Sequence, residues 1–114
     1  MNLFNYCDYF THSGTIYEPV TWAEGTHYIP SSFYVYYGGS LTIEPGAVIK
    51  FGPGAELNVI GEIIADGTED NPIVFTSMDD NNNGCIIDGS DGIPEPGDWK
   101  YIETHGYQNP LAQF

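Results

Sequence analysis

The apolar residues of this chain come in short runs rather than in the stripes of an amphipathic helix. Beyond residue 40 they read Leu41-Thr42-Ile43, Val48-Ile49-Lys50-Phe51, Leu57-Asn58-Val59-Ile60, Ile63-Ile64-Ala65 and Ile73-Val74-Phe75-Thr76. Each is only a few residues long and rich in β-branched side chains, which suit a pleated strand. Between them stand Glu44-Pro45-Gly46, Gly52-Pro53-Gly54, Gly61-Glu62 and Gly67-Thr68-Glu69-Asp70-Asn71-Pro72. Such linkers carry the Gly, Pro and Asn that sharp corners require. With 14 Gly and 8 Pro in 114 residues, helices of ordinary length have little room. The pattern predicts an all-β chain.

Spacing adds an architecture. Ile43, Val59 and Phe75 stand 16 positions apart, Leu41, Leu57 and Ile73 repeat that interval, and Ile49 and Ile64 are 15 apart. A repeat this short, built of strands and turns, predicts a β-solenoid in which apolar side chains point inward and stack from rung to rung. A β-sandwich would need hairpins, and no convincing two-residue Asn-Gly or Asp-Gly hairpin joins two equal strands. At 16 residues per rung the chain makes about four rungs, roughly 20 Å tall at about 4.8 Å per strand.

Composition changes the list of partners. Sixteen acidic residues against two lysines and no arginine give a formal net charge of -14. That field repels nucleic acid and anionic membrane surfaces, and no apolar run is long enough to cross a bilayer as a helix. Yet 41% of the residues are hydrophobic and 15% aromatic, too many for an acidic disordered tail. The N-terminus, Met1-Asn2-Leu3-Phe4-Asn5, lacks the pattern of a secretory signal. Cys7 and Cys85 leave two readings open, separate buried thiols or a disulfide stapling the N-terminal segment to a distant loop. They form neither a zinc knuckle nor a CxxC pair.

Two segments carry candidate chemistry. Most aromatic residues fall within residues 1–37, and Tyr17, Trp22, Tyr28, Tyr34, Tyr36 and Tyr37 are the candidate binding surface, for a sugar or a neighbouring subunit. The plainer reading makes these rings a cover over the open end of the core. The second segment, Asp79-Asp80-Asn81-Asn82-Asn83-Gly84-Cys85-Ile86-Ile87-Asp88-Gly89-Ser90-Asp91-Gly92, opens like a calcium loop. Asp79, Asn81 and Asn83 would be ligands 1, 3 and 5, Gly84 would make the turn, and the Cys85 carbonyl would fill position 7. Position 12 is Ser90 where a bidentate Glu belongs, so Asp88 or Asp91 would have to substitute. Against calcium stands a solvated acidic turn cluster, common by composition alone.

Catalysis has thin support, and no enzyme is expected. There is no G-x-S-x-G elbow, P-loop or dinucleotide fingerprint, and His12, His27 and His105 lack metal-ligand spacing, so they read as surface or cap histidines. Sixteen acids always permit a hydrolase-like carboxylate pair, which makes such a pair uninformative.

Four linked segments resemble a known family. Gly39 through Phe51, containing Leu41-Thr42-Ile43-Glu44-Pro45-Gly46, is similar to the LTIEPG signature of secreted right-handed parallel β-helix (pectin-lyase-like) repeat proteins. Gly61 to Thr68, Pro72-Ile73-Val74-Phe75-Thr76-Ser77 and Pro96-Gly97-Asp98-Trp99 resemble its next segments (the last two are PIxFTS and PGDW) in order, and Thr21-Trp22 through Tyr28-Ile29 resembles its opening rung. The resemblance implies right-handed coiling and export to the exterior or cell surface. It does not fix an activity, because the fold hosts adhesins, surface proteins and polysaccharide-active enzymes. Lyase chemistry in this fold needs a cationic base beside calcium, for which the chain offers only Lys50 and Lys100.

The expected organisation is an aromatic cap or docking segment at 1–20, a β-helix at 21–105 and a tail at 106–114. Residues 77–98 would be an acidic insertion protruding from one corner, with a strand resuming at Trp99-Lys100-Tyr101-Ile102. The expected function is an extracellular structural or adhesive module that self-associates end to end into an oligomer or filament, stabilised by calcium. The alternative is a polysaccharide-binding module, or a non-catalytic fragment of a larger surface protein or enzyme.

Overall fold

The structure is a computed structural model that describes residues 6–104. Its strands are β1 (Phe10–Thr11), β2 (Gly14–Ile16), β3 (Pro19–Trp22), β4 (Gly25–Ile29), β5 (Ser32–Val35), β6 (Ser40–Ile43), β7 (Ala47–Phe51), β8 (Glu56–Val59), β9 (Glu62–Ala65), β10 (Val74–Ser77) and β11 (Tyr101–Thr104). They form three sheets, β1-β4-β7-β10, β2-β5-β8-β11 and β3-β6-β9, and every pairing is parallel. Each sheet takes every third strand, so the chain coils through three full rungs and part of a fourth. This is a short parallel β-helix.

The rung is longer than the 16-residue interval suggests. Gly25 pairs with Ala47 and Ser40 with Glu62, each 22 positions on, and Ser32 pairs with Glu56, 24 on. Ile43, Val59 and Phe75 lie on β6, β8 and β10, in three different sheets. A step of 16 therefore climbs one rung but falls one face short of a full turn. The true columns are Val20–Leu41–Ile63 and Trp22–Ile43–Ala65 in one sheet, Phe33–Leu57–Ile102 in another, and His27–Ile49–Phe75 in the third. Leu41, Ile49 and Leu57 are wholly buried, each lying between its equivalents above and below. Rungs stack closely at the corners too: a Cβ on Gly52 would run into the Pro30 carbonyl oxygen.

Two expected boundaries move. The helix begins at Phe10, because β1, β2 and β3 build a first rung from most of the presumed cap, and the 20/21 boundary falls inside β3. The strand after the insertion is Tyr101–Thr104. The presumed 106–114 tail and His105 lie outside the described residues.

The insertion does not protrude. It folds back over the outer face of the β1-β4-β7-β10 sheet, burying Met78, Asp80, Cys85, Ile86 and Ile87. Gly84 makes that contact possible: it has φ of 65° and sits where any side chain would strike Thr26 and Val48. The insertion then returns to the rung ladder, where the Gly54 N–H donates to the Asp98 carbonyl and the Lys100 N–H to Ala55 (both 2.8 Å). Trp99 stacks on Phe51 at 4.3 Å between ring centroids and covers the top of that column.

Candidate functional site

The insertion is organised around a lysine. On β7, Lys50 points outward from the rung, where a side chain is ordinarily wet, yet it is fully buried because the insertion covers it. Its ammonium donates to the backbone carbonyls of Asp80 and Cys85, both at 2.6 Å. Burial lowers the Lys50 pKa, while the Asp80 charge acts to raise it. The Asp80 carboxylate accepts from the Thr76 hydroxyl, the Asn82 N–H and the Asn83 side-chain amide, at 2.8 to 2.9 Å. Burial works to raise its pKa, but those hydrogen bonds and the nearby ammonium prevail, so Asp80 lies below its ordinary value.

These contacts bear on the calcium reading. The Cys85 carbonyl, the expected seventh ligand, accepts from Lys50. Asn83 turns its amide nitrogen to Asp80, the Asn81 amide oxygen accepts from Ser90 at 2.7 Å, and an Asp79 carboxylate oxygen accepts from the Asp91 N–H at 3.1 Å. Asp88 is exposed and lines a cleft of about 390 Å³ beside Tyr6 and Tyr9, away from Asp79. Among the described residues no group of three or more His, Cys, Asp or Glu is gathered to hold a metal. Asp79 and Asp91 meet, but the Cys85 carbonyl, Asn83 and Asp88 turn to other partners, so the six expected ligands do not gather at one point. The cation at the centre of the loop is the protein's own.

Cys7 and Cys85 are joined by a disulfide, with Cα atoms 5.3 Å apart. It fastens the segment before β1 to the insertion, so both coverings of the sheet are tied to each other.

The expected aromatic surface divides. Trp22 is 2% exposed, a core residue stacked on His12, and it leaves the binding surface. Tyr28 lies under the insertion, its hydroxyl donating to the Met78 sulfur at 3.5 Å and its ring edge-on to Tyr9. Tyr17, Tyr34, Tyr36 and Tyr37 remain exposed on the outer side of the β2-β5-β8-β11 sheet and its following corner. Tyr36 meets both Tyr17 and Tyr37 edge-on, with centroids 5.8 and 5.1 Å apart. Next to them on β8, Glu56 Oε2 and Asn58 Oδ1 are covered without a hydrogen-bond partner. This face offers a group of exposed aromatic rings.

His12 and His27, expected at the surface or in a cap, form a pair at the first end of the core. His27 is buried on β4 and His12 lies beside it, with 2.9 Å between His12 Nε2 and His27 Nδ1. Both rings stack with Trp22, at 4.1 and 5.3 Å between centroids. The register places Phe10 over His27, and His12, just past β1, reaches the same ring.

For catalysis the placement of cations matters most. Lys50, one of two candidate bases, is sealed under the insertion with its ammonium engaged. Lys100 is exposed just ahead of β11.

Comparison with known proteins adds a lineage. Neither the curated proteins nor the solved structures gave a match. A family model described as a pectate-lyase-like β-helix domain matches residues 14–91, which span β2 to β10 and most of the insertion. That family includes enzymes, and a domain of this kind is consistent with a module of a larger protein. Parallel registers, stacked aliphatic columns and the family match agree: the chain belongs to the pectate-lyase-like β-helix domain family.

Proposed function

We propose that this domain is a non-catalytic, extracellular structural or adhesive module that associates end to end with further β-helix surface, including copies of itself. One observation carries the reading. Several core columns end half-covered: Ile16 and Val20 in the first rung, and Ile73, Phe75 and Ile102 in the last, are only partly buried, although Trp22, Ile63 and Ala65 at the ends of the β3-β6-β9 sheet are sealed. The terminal strands of each sheet also present an unpaired edge among the described residues, and such edges accept another parallel strand. The burial of Lys50 supports a role without catalysis, and the disulfide suits an oxidising exterior.

The test is sedimentation or light scattering across concentration, on the wild type and on Val20→Asp and Ile102→Asp. Wild type is expected to form multiples of the monomer. Each substitution puts a charge on one rim and should cut assembly while leaving the β-rich circular dichroism unchanged. A wild-type chain that stays monomeric at every concentration removes the reading. A second reading, binding of a glycan at Tyr17, Tyr34, Tyr36 and Tyr37, is favoured by the exposure of these four rings close together.

A further inference from the structure

The first rung contains a feature that neither the fold nor the proposed association requires. A solenoid interior is normally aliphatic, yet here the end of the core is built from two imidazoles. His27 Nε2 lies 2.8 Å from the Ala23 carbonyl, so it must carry the proton and donate. That leaves His27 Nδ1 as an acceptor, and His12 Nε2, 2.9 Å away, must be the donor to it. With both rings neutral the chain of bonds runs in one direction, and a single added proton can still be shared across the ring-to-ring bond. Protonating both rings would set two N–H groups against each other at that distance.

The surroundings offer no relief for charge. Phe10 from β1, Trp22 from β3 and Phe33 from β5 pack around the rings, and Ile49 is the β7 neighbour of His27 in register. All are uncharged. The acid on the adjoining corner, Glu24, lays its side chain over Gly46. Burial, then the neighbouring His27 charge, lowers His12 to about 4, and burial lowers His27 against the opposing Ala23 bond.

We propose that the His12–His27 pair is an acid-operated latch: protonation of both rings breaks the ring-to-ring bond and frees β1 and β2 from the end of the core, while the later rungs stay folded. Position explains why the opening is local. β1 has two residues and pairs with β4 alone, whereas β7 is held by strands on both sides. Acid also lessens the self-repulsion of a chain with formal net charge -14, which favours the remainder. The sign follows from the lowered values. The unfolded rings bind protons from about pH 6.5, the folded ones only lower, so the latch is intact above that value and weakens as pH falls toward about 4. The consequence for assembly rests on the end-to-end reading above: the rim that docks at this end would be withdrawn in acid. The latch itself does not depend on that reading.

Amide hydrogen exchange on the full chain between pH 7 and pH 4, corrected for intrinsic rates, tests it. Protection at His12, whose N–H donates to Tyr28, and along β2 is expected to fall at least tenfold while β7 and β8 keep theirs. His12→Phe keeps the stack on Trp22 but removes the opposing N–H, and it should retain first-rung protection at pH 4. Unchanged protection in the wild type, loss in β7 and β8 together with β1 and β2, or opening of His12→Phe at the wild-type pH would each overturn the latch. Light scattering on the same samples reads assembly separately, so a monomer with an acid-labile first rung overturns only the association.

Discussion

Two outer faces of the same coil have opposite fates. On the β1-β4-β7-β10 sheet the outward residues Thr26, Tyr28, Val48, Lys50 and Thr76 lie beneath the insertion. On the β2-β5-β8-β11 sheet the outward side of β5 presents Tyr34, and Tyr36 follows it, both exposed. Inside, the two sheets are alike: parallel registers, aliphatic columns, full burial at Ile49 and Leu57. The difference teaches that a β-helix interior says only that the chain coils, and individuality lies in what covers each side. Thr26 shows how small the instruction is. Its hydroxyl accepts the Cys85 N–H at 2.8 Å, giving the covering segment a backbone partner on the sheet that a solvent-facing strand would leave to water.

The covered face can be uncovered in two ways. The larger effect belongs to the disulfide, which closes a span of 78 residues. Replacing both Cys7 and Cys85 by Ser should cost about 4 kcal/mol in urea denaturation, since a loop of that size loses much of its unfolded-state restraint. Lys50→Met comes next. It leaves the carbonyls of Asp80 and Cys85 covered without a donor, and the Asp80 carboxylate without its nearby cation. The expected loss is about 3 kcal/mol, with proteolytic nicking between residues 79 and 92. Calcium or a chelator should leave the wild-type midpoint where it is. A calcium-dependent rise would show that the loop rearranges around a metal after all.

Much of this contrast could be read from residues, and the rest could not for definable reasons. Alternating apolar runs with Gly-Pro corners announced parallel rungs, because each strand's inward residues must be apolar wherever it sits in the stack. The period was misjudged because residues on different faces of one coil are equally apolar, so Ile43, Val59 and Phe75 aligned as well as a true column would. Lys50 sits in an apolar run, Val48-Ile49-Lys50-Phe51, on the outward side of the strand between the inward Ile49 and Phe51. Nothing local said that the outside would be dry. That depended on Ile86 and Ile87, thirty-odd positions away, preferring the sheet to water. The acidic cluster reads as a metal loop because carboxylates and Asn amides in a Gly-containing turn are calcium-loop residues. Lys50 is instead held by the backbone carbonyls of Asp80 and Cys85, which side-chain identity does not reveal. His12 falls in the segment 1–20 expected to be a cap, whereas Trp22 and His27 fall inside the expected β-helix, and nothing local in the sequence marks their rings as part of its interior.

The open face gives the smallest effect on folding and the sharpest test of the contrast. Tyr34 and Tyr36 bury little against their own chain, so Tyr34→Ala and Tyr36→Ala should each move stability by less than about 0.5 kcal/mol. Tyr28→Ala is the matched change on the covered face, where the ring packs on Tyr9 and its hydroxyl reaches Met78, and it should cost about 3 kcal/mol. If the exposed rings form a glycan surface, the two Ala variants lose retention on immobilised neutral polysaccharide in affinity electrophoresis, at unchanged melting temperature. Stacking of a ring on a sugar face is lost outright when the ring is removed, whereas a fold that never needed it does not notice. Equal retention of wild type and variants would leave these tyrosines to subunit contact, and large destabilisation by Tyr34→Ala would mean that the face is not open at all.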